Sequence, residues 1–366
     1  MNILITGSNG FIGRNLKFSL LEKNFNIFEF NRNDNLNKLE KLIEKSDIIF
    51  HLAGENRPKE TKLFKVNNIE LTNKICSILN ERKKKLKIIF TSTTQIKKNN
   101  PYAKSKLECE KILIKHKKQT NNSISILRLP NVYGKWSKPN YNSVVATFCY
   151  NIIRNKKIKV HNKKNHVNLY YIDDLLNKFM DIILGKEKKL YPKIDNIDKI
   201  RVDYIAKKLR EFNANIKNIS LNNLENRINK NLYSTFISFL TEKLFLLDLK
   251  SHKDSRGNFV EFIKSKNFGQ ISYFSINVKK ERGGHYHHSK VEQFLILKGN
   301  AKIKYVNLFD KKVIIKKISG KNMKIFRSMP GYVHTIINIG KSELIGIVWA
   351  NETFDINKPD TFKYHE

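Results

Sequence analysis

Met1-Asn-Ile-Leu-Ile-Thr6-Gly7-Ser-Asn-Gly10-Phe11-Ile12-Gly13 is the stretch that decides the reading of the first half of the chain. A short apolar run leads into glycines spaced three apart, and an amphipathic segment follows over 11–21. Glycine at such positions permits a tight turn and lets backbone N–H groups approach a pyrophosphate at a helix N-terminus. The strand before and the helix after supply the context that a lone glycine triplet lacks.

Outward from that stretch, apolar runs recur at 26–30, 48–52, 88–91 and 124–129, with helical patterns between them at 36–45, 63–80 and 105–117. Strand–helix alternation over this length predicts an α/β fold with a doubly wound parallel sheet. A polar, helical stretch runs to about residue 240. Beyond it come short alternating runs at 259–263, 270–277, 293–297, 301–307, 312–318 and 344–350, separated by turn residues. Many short strands at this spacing predict an all-β barrel or sandwich. The boundary is placed at 243/244, giving domains 1–243 and 244–366. A chain of 366 residues has room for two domains at about 150 residues each.

The net charge of +37 raises the question of nucleic acid. The lysines are spread along the chain, and their short runs, such as Lys83-Lys84-Lys85, lack interleaved aromatic residues. A solvated basic surface that attracts anionic small molecules fits better, and no nucleic-acid partner is expected. The contrary reading, a basic nucleic-acid-associated protein on a reductase-like fold, would show steeply salt-dependent binding to duplex. No run reaches the roughly 20 apolar residues of a membrane span. Cys76, Cys109 and Cys149 are scattered and odd in number, as in a reduced cytoplasmic protein. The chain opens directly on a strand, so no leader segment is expected.

Further motifs carry chemistry. At the end of the second strand Phe30 is followed by Asn31-Arg32, where a carboxylate would hold the ribose 2′-hydroxyl of NAD; a guanidinium suits a 2′-phosphate, which favours NADP(H). Phe90-Thr-Ser-Thr93 precedes Tyr102-x-x-x-Lys106. Tyr and Lys four apart share a helix face, so the ammonium is expected to lower the phenol pKa and Tyr102 to donate a proton to a carbonyl oxygen as hydride arrives. Thr93 would hydrogen-bond the same oxygen. These motifs, in this order, resemble the extended short-chain dehydrogenases/reductases that modify nucleotide-sugars. The resemblance implies a Rossmann domain whose cofactor lies along Gly7, Gly10, Phe11, Ile12, Gly13, Asn31, Arg32, Leu52, Ala53, Gly54, Tyr102 and Lys106. It also implies that Asn67 is a structural asparagine and that Asn131, in Arg128-Leu-Pro-Asn-Val-Tyr-Gly134, contacts the sugar-nucleotide. Gln95-Ile-Lys-Lys98 stands where many relatives carry Val-Tyr-Gly, a departure that bears on pocket shape.

In the second half, His285-Tyr-His287, Glu292 and Pro330-Gly-Tyr-Val-His334-x-x-x-Asn338 resemble the two cupin motifs. Histidines two apart on a strand face one side, and Glu292 and His334 from neighbouring strands could complete a His₃Glu set. Such a set suits several divalent metals, with zinc favoured. Asp254-Ser-Arg256-Gly and Arg282-Gly-Gly-His-Tyr286 are similar to segments of deoxysugar 3,5-epimerases, which are also cupins. That likeness implies substrate contacts from Arg256 and His288, with His288, Tyr286 and Lys290 as candidate bases.

The fusion of the two resembles a family of bifunctional capsular-polysaccharide enzymes. The resemblance implies C3 epimerisation of a UDP-4-keto-6-deoxy-HexNAc by the cupin. NADPH-dependent C4 reduction to UDP-2-acetamido-2,6-dideoxy-β-L-talose would come next, on the route to UDP-N-acetyl-L-fucosamine, in a homodimer. The rival within enzymes is a nucleotide-sugar 4-ketoreductase with a purely structural cupin.

Overall fold

The computed structural model describes all residues except 57–59, 121, 161–164, 245–246, 266, 358 and 365–366. The chain divides into two compact units, Met1–Arg210 with Leu224–Thr241, and Glu211–Asn223 with Glu242–Glu366. The segment Glu211–Asn223 lies on the first-domain side of the boundary read from sequence. It belongs to the second unit, where Leu221 N–H donates to the Lys264 carbonyl (2.6 Å) and Lys264 N–H to that of Ile219 (2.9 Å).

The first unit begins with strand β1 (Asn2–Thr6), helix α1 (Phe11–Leu21), β2 (Asn26–Phe30), α2 (Leu36–Lys45) and β3 (Ile48–His51). A helical stretch comes next: α3 (Lys62–Phe64), a π-helical segment (Lys65–Glu70) and α4 (Leu71–Glu81). Then come β4 (Lys87–Thr93), α5 (Pro101–Thr120) and β5 (Ser123–Leu129). These five strands form one parallel sheet in the order β2-β1-β3-β4-β5. Strands β1, β3 and β4 read as near-continuous apolar runs because helices cover both faces, leaving Ile3, Leu4, Ile5, Ile49 and Phe50 fully buried. The chain reverses direction of winding between β1 and β3. That topological switch point opens a crevice beyond their C-terminal ends. A side-chain cap fixes the start of α2, where Asn35 accepts from Lys38 N–H. The remaining elements are β6 (Asn131–Tyr133), α6 (Val144–Ile153), β7 (His166–Tyr171), α7 (Ile172–Ile183), β8 (Asp198–Arg201), the part of α8 (Val202–Lys217) up to Arg210, and α9 (Arg227–Ile237). Strands β6, β7 and β8 make a separate three-stranded sheet.

The second unit is antiparallel β. Its strands are β9 (Ser251–Asp254), β10 (Gly257–Ser265), β11 (Gly269–Ile276), β12 (Glu281–Tyr286), β13 (Glu292–Lys298), β14 (Asn300–Asn307), β15 (Val313–Ser319), β16 (Ile325–Arg327), β17 (Tyr332–Asn338), β18 (Leu344–Ala350) and β19 (Phe362–Lys363). One sheet runs β16-β13-β18-β11-β10-β9 and the other β15-β14-β17-β12-β19. Alternate residues bury Phe274, Ile276, Phe294, Ile296, Ile303, Ile336 and Val348 as a core. The architecture is thus an α/β doubly wound sheet followed by an all-β unit, as the sequence predicts. The short strands β12 and β17, absent from the alternating runs, were marked in sequence by the histidine motifs they carry. No described helix is long and apolar enough to cross a membrane.

Candidate functional site

The crevice of the first unit is walled by the glycine turn between β1 and α1. Gly7 adopts φ +74, and a Cβ on it would lie 2.8 Å from the Ala53 Cα; a Cβ on Gly13 would lie 2.2 Å from the Gly7 carbonyl oxygen. Only glycine lets the loop close this tightly against its neighbours and bring the N-terminus of α1 up to a phosphate. Asn31 ties the loop to β2: its Oδ1 accepts from Asn9 N–H (3.1 Å) and its Nδ2 donates to Ser8 Oγ (2.8 Å). Gly7, Gly10, Phe11, Ile12, Gly13, Arg32, Leu52, Gly54, Thr93, Tyr102, Lys106 and Asn131 all line one cavity of about 980 Å³. Asn31 and Ala53 line an adjoining one. Arg32 is exposed and paired with Glu55, whose other oxygen accepts from the Tyr141 hydroxyl at 3.2 Å.

Under the strand ends lies a chain of buried polar contacts. Thr72 spends its proton on the Asn68 carbonyl (2.7 Å), so His51 must donate from Nε2 to Thr72 (3.0 Å) and accept at Nδ1 from the Thr6 hydroxyl (2.9 Å). Burial, and then the Lys106 charge, push the His51 pKa down to about 3, which keeps the ring neutral. Asn68 accepts from Glu55 N–H (2.7 Å) and donates to Ser105 Oγ (3.0 Å). This is the structural asparagine, and it stands one residue beyond the expected Asn67. Asn67 itself reaches Glu55 Oε2 at 3.5 Å.

Thr93, Tyr102 and Lys106 come together as expected, but the electrostatics differ. Tyr102 hydrogen-bonds Thr93, yet burial dominates and pushes its pKa up to about 12. The Lys106 ammonium is fully buried and donates to the Thr91 carbonyl (3.0 Å), 4.7 Å from the Phe90 ring centroid. The lowering of the phenol pKa by Lys106 read from the spacing is therefore not what governs Tyr102 here. A raised pKa still keeps the phenol protonated, the state a proton donor needs. Glu110, missed in the sequence, supports this strand end from below: it is buried and accepts from Ser92 Oγ (2.5 Å) and Arg128 (2.6 Å). The only hint in the sequence was a carboxylate one helical turn beyond Lys106.

In the second unit, His285, His287, Glu292 and His334 gather with all ligand atoms within 4.8 Å of one another. His285 lies opposite His334 in the β12–β17 ladder. Glu292 Oε2 is 3.1 Å from His287 Nε2 and 3.2 Å from His334 Nε2. The Asp360 carbonyl, which can only accept, takes a proton from His287 Nδ1 at 2.6 Å. The Nε2 atoms of His287 and His334 thus converge on one carboxylate oxygen, an arrangement that a cation between them satisfies. Burial, then the His334 charge, hold His285 down at about 4, the neutral form a ligand needs.

A cavity of about 170 Å³ reaches this cluster, lined by Arg256, Arg282, His285, Glu292 and His334 with Gln270, Ser272 and apolar Phe259, Phe274 and Ile336. Arg256 is thus where the sequence expects it. His288 is not: it is exposed, its backbone is held by Asp360, and its ring packs on Phe362 (4.8 Å) and Tyr286 (5.6 Å). Lys290 is also off the cavity, with Nζ bonded to the Pro359 carbonyl and Thr361 hydroxyl. Arg282 and His285 face the same cavity although three apart, because a β-bulge at Gly284 puts two residues of β12 against one of β17.

A glycine-walled switch-point crevice with a Thr–Tyr–Lys set defines a class. The chain belongs to the NAD dependent epimerase/dehydratase family, which matches residues 3–197, and residues 252–362 match the polysaccharide biosynthesis C-terminal domain. Along 99% of its length it is 39% identical to the UDP-2-acetamido-2,6-beta-L-arabino-hexul-4-ose reductase of Pseudomonas aeruginosa, covering 98% of that protein. It is likewise similar to the capsular polysaccharide assembling protein CapF from Staphylococcus aureus, at 37% identity and TM-score 0.93 over 100% of both chains. The UDP-glucuronic acid 4-epimerase of Bacillus cereus shares the fold of the first unit (20% identity, TM-score 0.54, 58% of this chain and 83% of that one).

Proposed function

We propose that the chain is a two-site nucleotide-sugar enzyme of the cytoplasm acting on a UDP-4-keto-6-deoxy-HexNAc. Residues 244–366 form a cupin that epimerises C3, and residues 1–243 reduce the C4 ketone with NADPH to give UDP-2-acetamido-2,6-dideoxy-β-L-talose. Full-length similarity to a reductase acting on a 4-ulose supports the substrate class. The observation that carries the reading is the joint presence of a proton-donating Thr93–Tyr102–Lys106 set and a His₃Glu cluster beside two guanidiniums.

The chemistry fixes the order. The C3 proton is acidic only while C4 is a ketone, so epimerisation precedes reduction. In the reduction, hydride adds to C4 and the Tyr102 phenol gives its proton to O4. Thr93 holds that oxygen, and Arg32 offers its guanidinium to a 2′-phosphate, displacing its Glu55 contact. In the epimerisation, a divalent metal, zinc favoured, held by His285, His287, Glu292 and His334 would supply Lewis-acid stabilisation of the enolate. Arg256 and Arg282 would grip the diphosphate, Asn131 would contact the sugar-nucleotide, and two copies would pair as a homodimer.

The test is NMR of the full chain in D₂O with a UDP-4-keto-6-deoxy-HexNAc. Deuterium entering C3 without NADPH, and a reduced product on adding it, is the expected result. Reduction without C3 exchange would leave a 4-ketoreductase with a structural second unit. No reaction, with salt-dependent duplex binding instead, would overturn the enzyme reading.

A further inference from the structure

Two of the four clustered donors, His285 and His287, lie on or just beyond β12, and the strand beside β12 comes from near the far end of the chain. His285 pairs with Lys363 and Tyr286 with Phe362 of β19. The residues just before β19 hold the loop that leaves β12 and leads to Glu292. The Asp360 carboxylate accepts from the backbone N–H groups of His288 (3.0 Å), Ser289 (2.9 Å) and Lys290 (2.7 Å), and from the Ser289 hydroxyl (2.9 Å). The Lys290 ammonium, itself buried, closes the same segment onto the Pro359 carbonyl (3.0 Å). The Asp360 carbonyl is the acceptor of the His287 Nδ1 proton.

We propose that Asp360 is the positioning residue of the metal centre. Its carboxylate clamps the loop at 288–290, and its carbonyl fixes the tautomer and ring plane of His287. The inference rests on reading the His₃Glu cluster as a metal site. Two features support it. A carboxylate taking several N–H groups forms charge-assisted bonds that define the loop tightly. An imidazole ligand is oriented by whatever its other nitrogen bonds. Asp360 also adopts φ +35, a backbone region that Asp and Asn enter more readily than most residues. Without the clamp, His287 would be free to turn its Nε2 away, and one of four donors would have to be ordered by the metal itself.

The test measures Zn²⁺ affinity of the full chain by competition with a chromophoric chelator, and the visible spectrum of the Co²⁺ form, for wild type, Asp360→Ala and Asp360→Asn. Asp360→Ala is expected to lose roughly 10–100-fold in Zn²⁺ affinity and to shift the Co²⁺ bands. Asp360→Asn, which keeps one acceptor oxygen and tolerates the same φ but loses the charge and turns an NH₂ toward N–H donors, should lose less than Asp360→Ala but still measurably. Unchanged affinity and spectrum in Asp360→Ala would overturn the positioning role. If that variant does not fold, unchanged affinity in Asp360→Asn would do the same. A wild-type chain that binds neither ion would overturn the metal reading and this inference with it, whereas binding that survives substitution overturns this inference alone.

Discussion

In the first unit Gly7, Arg32, Gly54, Thr93, Tyr102 and Lys106 sit just beyond or at the C-terminal end of a parallel strand or on the helix next in the chain. In the second, four donors meet because antiparallel strands are held in one register and a terminal segment is laid across them. A parallel strand end delivers its residue wherever the sheet forms, so that site is written in short contiguous motifs. A cluster built across strands depends on pairings about fifty to eighty residues distant in sequence, and a register error would scatter it. At their imidazoles the two sites behave alike, since burial keeps His51 neutral in the crevice and His285 neutral in the β cavity; the β cavity adds Glu292 and two guanidiniums on its wall.

The sharpest way to break this comparison is Tyr102→Phe. The reduction should fall by about 10²–10⁴-fold, the usual worth of a positioned proton donor, with C3 exchange in D₂O retained. Loss of both activities in a folded protein would show that the sites are not separate. The mirror experiment, His287→Ala, should weaken Zn²⁺ by more than the 10–100-fold typical of losing a supporting group and stop C3 exchange. NADPH affinity, followed by its fluorescence, should hold. Arg32→Ala should raise the NADPH Kd about tenfold or more with little change for NADH, since a charge-assisted bond contributes about 1.5–3 kcal/mol; equal loss for both would mean the guanidinium does not read a 2′-phosphate. Asn68→Ala leaves the Glu55 N–H without its acceptor and should cost about 1–3 kcal/mol in denaturant unfolding. The smallest effect is one of pH. With its pKa raised, Tyr102 stays protonated through the neutral and mildly alkaline range and loses its proton only as pH nears the raised value. The pH–rate profile for reduction should therefore show no fall below about pH 10, whereas an inflection near neutrality would return control of the phenol to Lys106.

Much of the first unit was legible because its signals are local: strand, glycine turn, helix, then Thr93, Tyr102 and Lys106 in order. What sequence could not carry was the partner each group chooses. Arg32 reads as a phosphate ligand, but its pairing with Glu55 crosses from β2 to the loop after β3. Asn68 and not Asn67 is the buried one, and two adjacent asparagines are told apart only once the fold shows which side chain turns inward. In the second unit the four donors were visible as spaced motifs, while Asp360 was not, since its role exists only once the end of the chain returns to β12. His288 was misplaced for a simpler reason: strand alternation ends with β12 at Tyr286, and residues 288–290 are oriented by the Asp360 clamp instead.

The bulge at Gly284 has a consequence for insertions and deletions. In an unbroken ladder, residues three apart point to opposite faces, and Arg282 would look away from His285. The inserted glycine, not any change of side-chain type, brings the guanidinium and the imidazole to one wall. A homologous chain with Arg and His two apart and no residue between Gly283 and the histidine could build the same wall. A gap aligned at 284 would then mark conserved geometry, and a chain with a residue added there should lose the guanidinium to solvent while keeping every motif intact.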